Sequence, residues 1–411
     1  MKKNIIIGQS GGPTAAINAS LSGVIRKAMQ SDEIGEIYGA LNGIEGLLNR
    51  RIINLRNSIK NIDDCDRLAA TPAMALGSCR YKMPSMPHEA YDKIADIFEE
   101  YNIGYFFYIG GNDSMDTVLQ MSNYFKSKNA DIKCIGIPKT IDNDLPVTDH
   151  TPGFGSAAKY IATSIAELAL DSGVYDMFNV IVAEIMGRNA GWLAASSVLA
   201  RDTGCGAPQL IYLPEVPFDT NKFIEKVKSF SNENKPLIIA VSEGIKNENG
   251  EYLSAAGASV DGFGHTALSG TGKYLSDLIK EKIGCKVRHI EFSVLQRAAG
   301  HIASDTDMKE AVLIGENAIN AALNGKTGVM MIFKRIKMLE KASDTPYKIE
   351  IDTVPIEQCA NKEKTVPLDW IIDGCDVSEE MVEYLRPLIN GKVNTYEKDG
   401  LSSYIFLDKT V

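Results

Sequence analysis

The sequence predicts an α/β protein in which two Rossmann-like parallel-sheet domains face a cleft and a C-terminal extension follows. Short apolar runs rich in β-branched residues alternate with segments of helical period, which is typical of βα units wound into parallel sheets. A stretch dense in turn-forming residues, 144–153, separates the first set of these units from the second. Beyond about residue 325 the pattern loosens, and we expect isolated strands and a terminal helix that form a structural addition.

The apolar runs place the strands, and the periodic segments between them place the helices. The predicted strands are 4–8, 36–40, 104–109, 132–137, 179–185, 209–214, 236–242, 286–292 and 328–334. The predicted helices include 15–29, 114–127, 156–170, 189–200, 220–232, 271–283, 304–323 and 378–389. We therefore expect one domain of residues 1–150 with about 298–375, a second of 151–297, and a C-terminal helix and tail of 376–411.

Composition excludes several classes of protein. The chain of 411 residues is 45% apolar and 23% charged, as globular proteins are. Its net charge of -10, without any run rich in lysine and arginine, argues against nucleic acid as a partner. No uninterrupted apolar stretch approaches the roughly 20 residues needed to cross a bilayer, so no membrane span is expected. The seven cysteines form no C-x-x-C pair, which favours a cytoplasmic protein without disulfides or structural zinc.

The first predicted strand runs into a glycine-rich loop, Gly8–Pro13, that leads into a helix. Gly11 and Gly12 allow the backbone to approach a ligand closely, and the helix N-terminus presents unpaired N–H groups to an anion. The loop is therefore suited to a phosphate group. Considered alone, it is explained equally well as an ordinary tight turn.

The second glycine-rich loop, Gly110–Ser114, also follows directly after an apolar strand. Its paired glycines leave the backbone bare, and Asn112, Asp113 and Ser114 supply oxygen atoms of the kind that bind Mg²⁺. The alternative is that Asp113 or Ser114 caps the following helix, a role that is compatible with ligand binding.

The third loop, Pro138–Asp144, is far more polar than the end of a strand requires. It carries Lys139, Asp142, Asn143 and Asp144. If the substrate is a hydroxyl and the donor a phosphate, one aspartate can take the hydroxyl proton while the lysine balances charge on the transferred group. Turn chemistry alone remains an alternative explanation for Asn143 and Asp144. Because the carboxyl ends of parallel strands form one crevice, all three loops should face a common site.

Beyond residue 150, three arginines and two glycine-rich segments are further candidates for binding an anion or a nucleotide. Arg188 follows strand 179–185 and is suited to an anion, whereas Arg288 and Arg297 could together bind a second phosphate or be separate surface charges. The segment 261–273 matches a nucleotide P-loop only loosely, because Ala267 stands where glycine is required. Residues 153–158 fit G-x-G-x-x-A, but no strand precedes them, which argues against a dinucleotide site.

In this order and at these separations, the loops resemble those of the phosphofructokinase family from residue 3 to about residue 320. The motifs that carry the resemblance are S-G-G at 10–12, L-G-S-x-R at 76–80, G-G-N-D-S at 110–114, P-K-T-I-D-N-D at 138–144, M-G-R at 186–188, D-x-F-G-H at 261–265, and Arg288 with Arg297. The resemblance implies transfer of a phosphoryl group to the 1-hydroxyl of fructose 6-phosphate. It also implies Mg²⁺ as cofactor and a homodimer or homotetramer.

Site residues follow from matching this sequence to the family motifs. The resemblance implies catalytic roles for Asp142, Lys139, Asp144 and Arg188, with Asp142 as the base. The implied sugar-phosphate residues are Thr140, Ile141, Asp142, Met186, Gly187, Arg188, Glu243, Arg288 and Arg297. The implied donor residues are Gly11, Gly12, Arg80, Gly111, Asp113 and Ser114, and the metal falls to Asn112 or Asp113. Residues 1–150 would hold the donor and metal, and residues 151–297 the acceptor.

Two positions bear on the phosphoryl donor. Family members that use ATP resemble G-G-D-G-S with P-G-T-I-D, whereas users of pyrophosphate resemble G-G-D-D-S with P-K-T-I-D. This chain has Asp113 and Lys139 at these positions, which favours pyrophosphate. Both side chains fill space and add charge where the α-phosphate and nucleoside of ATP would pass. ATP as the donor is the alternative.

The chain also departs from the family pattern. Asn112 stands where a metal-binding aspartate is usual, Asn179 where an arginine reaches the sugar phosphate from a partner subunit, and Val294 where a histidine or tyrosine lies in the same pocket. These departures leave open a related acceptor such as sedoheptulose 7-phosphate, or a catalytically weak sugar-phosphate sensor. An oxidoreductase is a further alternative on fold alone, although the first loop lacks G-x-G-x-x-G.

Overall fold

The structure, a computed structural model, describes residues 2–253, 270–336 and 347–410. The D-x-F-G-H motif at 261–265, and with it most of the loosely P-loop-like segment, lies outside these residues. The strands are β1 Lys3–Gln9, β2 Ile34–Ala40, β3 Ile52–Asn54, β4 Ile103–Gly110, β5 Lys133–Pro138, β6 Asn179–Ile185, β7 Leu210–Tyr212, β8 Pro236–Ser242, β9 Lys286–Glu291, β10 Val329–Arg335, β11 Ile349–Pro355, β12 Ile371–Ile372, β13 Asp376–Val377, β14 Glu397–Lys398 and β15 Leu401–Ser402.

Helices lie between most of the longer strands. They are α1 Ile17–Met29, α2 Gly43–Leu48, α3 Ile62–Ala69, α4 Glu89–Glu100, α5 Asn112–Ser127, α6 Phe154–Ser172, α7 Trp192–Ser196, α8 Thr220–Phe230, α9 Thr271–Ile283, α10 Asp305–Leu323 and α11 Glu379–Leu385. Short 3₁₀ turns extend two of them, at Ser197–Thr203 and Arg386–Ile389.

Two sheets organise these elements, and they confirm the α/β fold. The larger sheet has seven strands in the order β11-β10-β5-β4-β1-β2-β3, and the smaller has four in the order β7-β8-β6-β9. Pairing is parallel throughout the smaller sheet, whereas β3 and β11 run antiparallel at the two edges of the larger one. Buried apolar side chains cover both faces of each sheet, as parallel sheets require.

Strand register brings the three loops to one edge of the larger sheet. Gln9 at the end of β1 pairs with Ile109 of β4, and Gly110 of β4 pairs with Pro138 of β5. The hydrogen bonds continue past the strands, since Ser10 donates to the Ile109 carbonyl and Lys139 to the Gly110 carbonyl. The loops at 8–13, 110–114 and 138–144 therefore follow neighbouring strands and meet at the carboxyl end of the sheet.

The predicted strands and helices are confirmed within a few residues, with three exceptions. The strand predicted at 209–214 is only three residues long, and the helices predicted at 189–200 and 378–389 are α7 and α11, each followed by a 3₁₀ turn. Helices α2, α3 and α4 and strand β3 were not predicted, and strands β11 to β15 were expected only as isolated strands without bounds.

The segment after residue 325 is more than the structural addition that the sequence suggested. Strand β10 extends the larger sheet and β11 returns antiparallel beside it. Strand β11 runs away from the carboxyl edge, and the chain that follows it returns to this edge, where Asn361 and Glu363 line the cleft. The segment therefore contributes side chains to the site itself.

Helices α1 and α10 pack closely because two glycines face the partner helix. A β-carbon at Gly315 would overlap the carbonyl oxygen of Ser20, and one at Gly23 would overlap that of Val312. We expect Gly315→Ala to lower the free energy of unfolding by about 1–3 kcal/mol, because overpacked helices must separate. Thermal and denaturant unfolding would measure the change. The control Lys309→Ala, on an exposed side chain of the same helix, should stay within about 0.5 kcal/mol.

Candidate active site

The three loops border a cleft of about 590 Å³, with further walls from the smaller sheet and the C-terminal segment. The predicted site residues that line it are Gly11, Gly12, Arg80, Gly111, Asn112, Asp113, Lys139, Thr140, Ile141, Asp142, Asp144, Met186, Arg188, Glu243 and Arg297. Ser114, Gly187 and Arg288 were also predicted but are not part of this lining.

The first loop is held in place by side chains from two other loops. Gly11 has a φ of +80°, which favours glycine, and a β-carbon there would lie 3.1 Å from Lys139 Nζ. Ser78 Oγ donates to the Gly11 carbonyl at 2.7 Å, and Lys139 Nζ donates to the Gly12 carbonyl at 2.7 Å. Lys139 is 2% exposed, so its ammonium group lies at a fixed point between the first and third loops.

The second loop leads directly into α5, and its helix cap is Gly111. The alternative in which Asp113 or Ser114 is the cap is therefore wrong, because both already lie in the first helical turn. Ser114 is buried against Gly110, where a β-carbon would overlap its hydroxyl, and this packing keeps Ser114 out of the cleft lining. Asn112 Nδ2 donates to the Lys362 carbonyl at 2.9 Å, and the Asn361 amide donates to Asn112 Oδ1 at 2.6 Å.

The third loop turns sharply after Lys139. Thr140 forms a β-bridge with Gly153, and its hydroxyl accepts a hydrogen bond from the Asp142 amide at 3.1 Å. Asn143 is fully buried and has a φ of +54°, a left-handed conformation that asparagine tolerates better than most residues. This turn places Asp142 and Asp144 in the cleft lining on either side of a buried residue.

Three ionisable groups of the third loop have perturbed pKa values. Burial lowers the pKa of Lys139 to about 7, although Asp142 opposes the shift. Burial raises the pKa of Asp142, against the influence of Arg297, Lys139 and Arg188. Burial raises the pKa of Asp144 to about 7, with a further contribution from the Asp142 charge. Such perturbed groups in one cleft are typical of a site that moves protons or binds charged ligands.

The opposite wall comes from the smaller sheet. Glu243 follows β8, where its amide donates to the Ile185 carbonyl at 2.8 Å and its Oε1 accepts from the Gly187 amide at 3.4 Å. Gly187, which is outside the cleft lining, thus contacts Glu243 through this hydrogen bond. Burial and the charge of Asp142 raise the pKa of Glu243 to about 7. Among the described residues, the buried Nε of Arg188 has no hydrogen-bond partner, as expected for a group that awaits an anion.

The structure does not bring Arg288 to this cleft. It lies on the edge strand β9 with its side chain 58% exposed, and its guanidinium reaches Asp171 at 4.0 Å. Val294 is 60% exposed nearby, and Asn179 at the start of β6 donates to the Met177 carbonyl at 3.2 Å. Of the two arginines considered for a second phosphate, only Arg297 lines the cleft within one chain.

The G-x-G-x-x-A segment at 153–158 has a structural role in the fold. It opens α6, and the Asp307 carboxylate accepts hydrogen bonds from the Gly153 amide at 2.9 Å and the Ser156 amide at 3.0 Å. The helix N-terminus that a dinucleotide phosphate would need is therefore filled by the protein's own carboxylate.

Sequence reasoning missed the contribution of the C-terminal segment to the cleft. Asn361 and Glu363 line it, and Asn189 Nδ2 donates to Glu363 Oε1 at 3.1 Å across the opening. The segment Asn361–Lys364 carries no hydrophobic period and has the composition of a solvated loop, so no local signal pointed to it.

The arrangement combines what phosphoryl transfer requires. The glycine backbones, Lys139 and Arg80 are suited to an anion, and Asp142 is suited to accept a proton. Arg188, Arg297 and Glu243 line the same cleft and are suited to an acceptor that carries both hydroxyl groups and negative charge. No helix in the described part of the chain has the length and apolar character needed to span a membrane.

Comparison with known proteins agrees with this chemistry. Residues 4–322 match the family model described as phosphofructokinase. The chain is 40% identical over 410 residues to the pyrophosphate–fructose 6-phosphate 1-phosphotransferase of Xanthomonas campestris, covering 98% of this chain and 96% of that protein. It is 30% identical over 403 residues to the sulfofructose kinase of Alkalicoccus urumqiensis, covering 98% and 100%. The crystal structure of pyrophosphate-dependent phosphofructokinase from Nitrosospira multiformis is 37% identical, with a TM-score of 0.86 and coverage of 99% and 97%.

Proposed function

The chain belongs to the phosphofructokinase family, and we propose that it transfers a phosphoryl group from pyrophosphate to the 1-hydroxyl of fructose 6-phosphate. The observation that carries the choice of donor is the position of Lys139. Its ammonium is fixed on the Gly12 carbonyl at 2.7 Å and shares the donor end of the cleft with Asp113. Two linked phosphates would fit beside this lysine, whereas a nucleoside would have to displace the buried Lys139 and the half-buried Asp113.

The proposed reaction uses Asp142 as the base. The 1-hydroxyl oxygen attacks the nearer phosphorus atom of pyrophosphate, its proton passes to Asp142, and the bond to the bridging oxygen breaks to release orthophosphate. In this proposal Lys139 and Arg188, which both line the cleft, stabilise the negative charge on the transferred group. With pyrophosphate as the donor, we expect measurable turnover in both directions.

We propose Mg²⁺ as the cofactor, with Asp113 and the Asn112 amide oxygen as its protein ligands. Among the described residues, no three His, Cys, Asp or Glu side chains converge closely enough to hold a metal ion by themselves. This donor set fits Mg²⁺, which is commonly bound through one or two carboxylates together with substrate phosphates and water. The ion would neutralise charge on pyrophosphate. Asn112 Oδ1 already accepts a hydrogen bond from the Asn361 amide, so Asp113 is the main metal ligand in this proposal.

We also propose a homodimer or homotetramer in the cytoplasm. Arg288 lies outside the cleft on an edge strand, and the apolar side chains of Val294 and Leu295 are 60% and 65% exposed close by in the chain. A partner copy that covers this surface would explain both features. All seven cysteines are free thiols, which is the usage expected in a reducing compartment.

Parallel assays with two donors test the function. Purified protein is given fructose 6-phosphate with either magnesium pyrophosphate or magnesium ATP, and fructose 1,6-bisphosphate is measured. We expect turnover with pyrophosphate and none above background with ATP. Turnover with ATP alone would support the ATP-dependent alternative, and binding of fructose 6-phosphate without turnover would support the sensor. Sulfofructose and sedoheptulose 7-phosphate, supplied as competing acceptors, test whether the acceptor is fructose 6-phosphate.

A further inference from the structure

Residues 361–366, which we call the bridging segment, contact the donor side of the cleft. The Asn361 amide donates to Asn112 Oδ1 at 2.6 Å, and Asn112 Nδ2 donates back to the Lys362 carbonyl at 2.9 Å. Asn361 Nδ2 also donates to Asp116 Oδ1 at 2.9 Å on α5. An amide at position 112 can donate and accept at once, which the aspartate usual in the family cannot do when ionised.

The same segment contacts the acceptor side. Trp192 Nε1 at the start of α7 donates to the Lys364 carbonyl at 3.0 Å. The Val366 amide donates to Glu215 Oε1 at 2.9 Å, and the same oxygen accepts from the Gly191 amide at 2.8 Å. The bridging segment therefore connects elements that follow both sheets.

Between these two attachments, Lys364 holds the loop that carries Asp142. Its amide donates to the Asp144 carbonyl at 2.6 Å. Its ammonium group donates to Asn143 Oδ1 at 3.3 Å and to the carbonyls of Thr148 and Asp149 at 3.1 Å and 2.8 Å. Three acceptors match the three N–H bonds of a lysine, so the side chain is fully used by the protein and is not directed at a substrate.

A second C-terminal side chain fixes the same turn. Asn143 Nδ2 donates to the Tyr384 hydroxyl at 2.8 Å, and that hydroxyl donates to the Asp149 carbonyl at 2.7 Å. The buried left-handed residue next to Asp142 is thus held at its oxygen by Lys364 and at its nitrogen by Tyr384. Strained turns of this kind persist only when their surroundings determine them.

We propose that Lys364 and Tyr384 are positioning residues for phosphoryl transfer, which act by holding the 140–149 loop so that Asp142 meets the acceptor hydroxyl. The inference rests on the proposed function, because it concerns the base of that reaction. Both residues lie beyond residue 322, where the match to the family model ends. Without the lysine ammonium, three loop oxygens each lose a hydrogen bond, although the Asp149 carbonyl keeps the one from Tyr384. A displacement of about 1 Å at a reacting group can lower a rate about 10²-fold.

The test compares Lys364→Met with wild type and with Lys334→Met, a matched change at an exposed lysine that pairs with Asp352 on the surface. For Lys364→Met we expect kcat to fall about 10- to 100-fold while KM for both substrates stays within about threefold. Amide hydrogen exchange over 140–149 should become faster in this variant. Lys334→Met should match wild type in every measurement.

Tyr384→Phe provides a second route if Lys364→Met does not fold, because it removes one hydroxyl and keeps the ring. It should lower kcat and speed exchange in the same loop, to a smaller extent. A wild-type kcat with unchanged exchange in either folded variant would overturn the inference. Wild-type protein without pyrophosphate-dependent transfer would instead overturn the proposed function, and faster loop exchange in Lys364→Met would still support the structural part of the inference.

Discussion

Asp142→Asn is expected to lower kcat about 10²- to 10⁴-fold, the usual contribution of a general base. Asparagine keeps the size of the side chain but cannot accept the proton of the 1-hydroxyl. Burial raises the pKa of Asp142 in the free protein, which makes its carboxylate a stronger base than an exposed aspartate. Because Arg188, Arg297 and Glu243 are untouched, fructose 6-phosphate should still bind.

Steady-state kinetics and equilibrium binding of fructose 6-phosphate would separate these effects. Asp131→Asn is the matched control, since Asp131 is exposed before β5 and pairs only at the surface with Lys133. It should leave kcat and binding unchanged. If Asp142→Asn kept kcat within about threefold of wild type, Asp142 would not be the base.

The parts of the site that the sequence could predict are those encoded locally. A strand that is followed by paired glycines, or by Lys139–Asp144, predicts a functional loop from about ten residues of sequence. Such loops should lie together, because the carboxyl ends of parallel strands share one edge of the sheet. The structure brings these loops to one cleft. The hydrogen bond from Lys139 to Gly12 was not predictable in the same way, because its partners are 127 positions apart.

The missed parts depend on contacts between distant segments. Asn112 and Asn361 are 249 positions apart, and nothing in the composition of 361–366 distinguishes it from a solvated loop. Arg288 shows another limit of local patterns, since its motif spacing suggested the site while its strand lies at a sheet edge, outside the cleft lining of its own chain. A local pattern predicts which residues follow a strand, but the position of that strand in the sheet determines whether those residues reach the cleft.

Some missed elements did have local signals. Helix α3 begins after Asn61, whose side chain accepts from the Asp64 amide at 3.0 Å, and α4 has an apolar stripe that includes Tyr91, Ile94 and Phe98. Both patterns are predictable from capping and helical period. Strand β11 had no such signal, because it is an antiparallel edge strand of mixed composition.

Lys139→Met is expected to lower kcat/KM for pyrophosphate about 10²- to 10³-fold, because a preorganised charge at the transferred group is lost. Methionine fills nearly the same volume, so the cleft should keep its shape. Lys133→Met, at the other end of β5, is the matched control and should behave as wild type. Wild-type kcat/KM in the Lys139 variant would contradict the assignment of this lysine to the donor.

The pH dependence of kcat/KM for pyrophosphate should reflect the ionisation of Lys139. Burial lowers the pKa of Lys139 to about 7, so the group is charged below this pH and becomes neutral as the pH rises through it. In the proposed reaction the charged form is the one that binds pyrophosphate, and we therefore expect kcat/KM for this substrate to fall above pH 7, by up to about tenfold per unit. Asp144 and Glu243 become negative over the same range and act in the same direction. The slope that remains in Lys139→Met belongs to these carboxyls and to pyrophosphate, which itself loses a proton near neutral pH. The difference from wild type reports the lysine, and equal slopes in the two proteins would show that Lys139 does not titrate there.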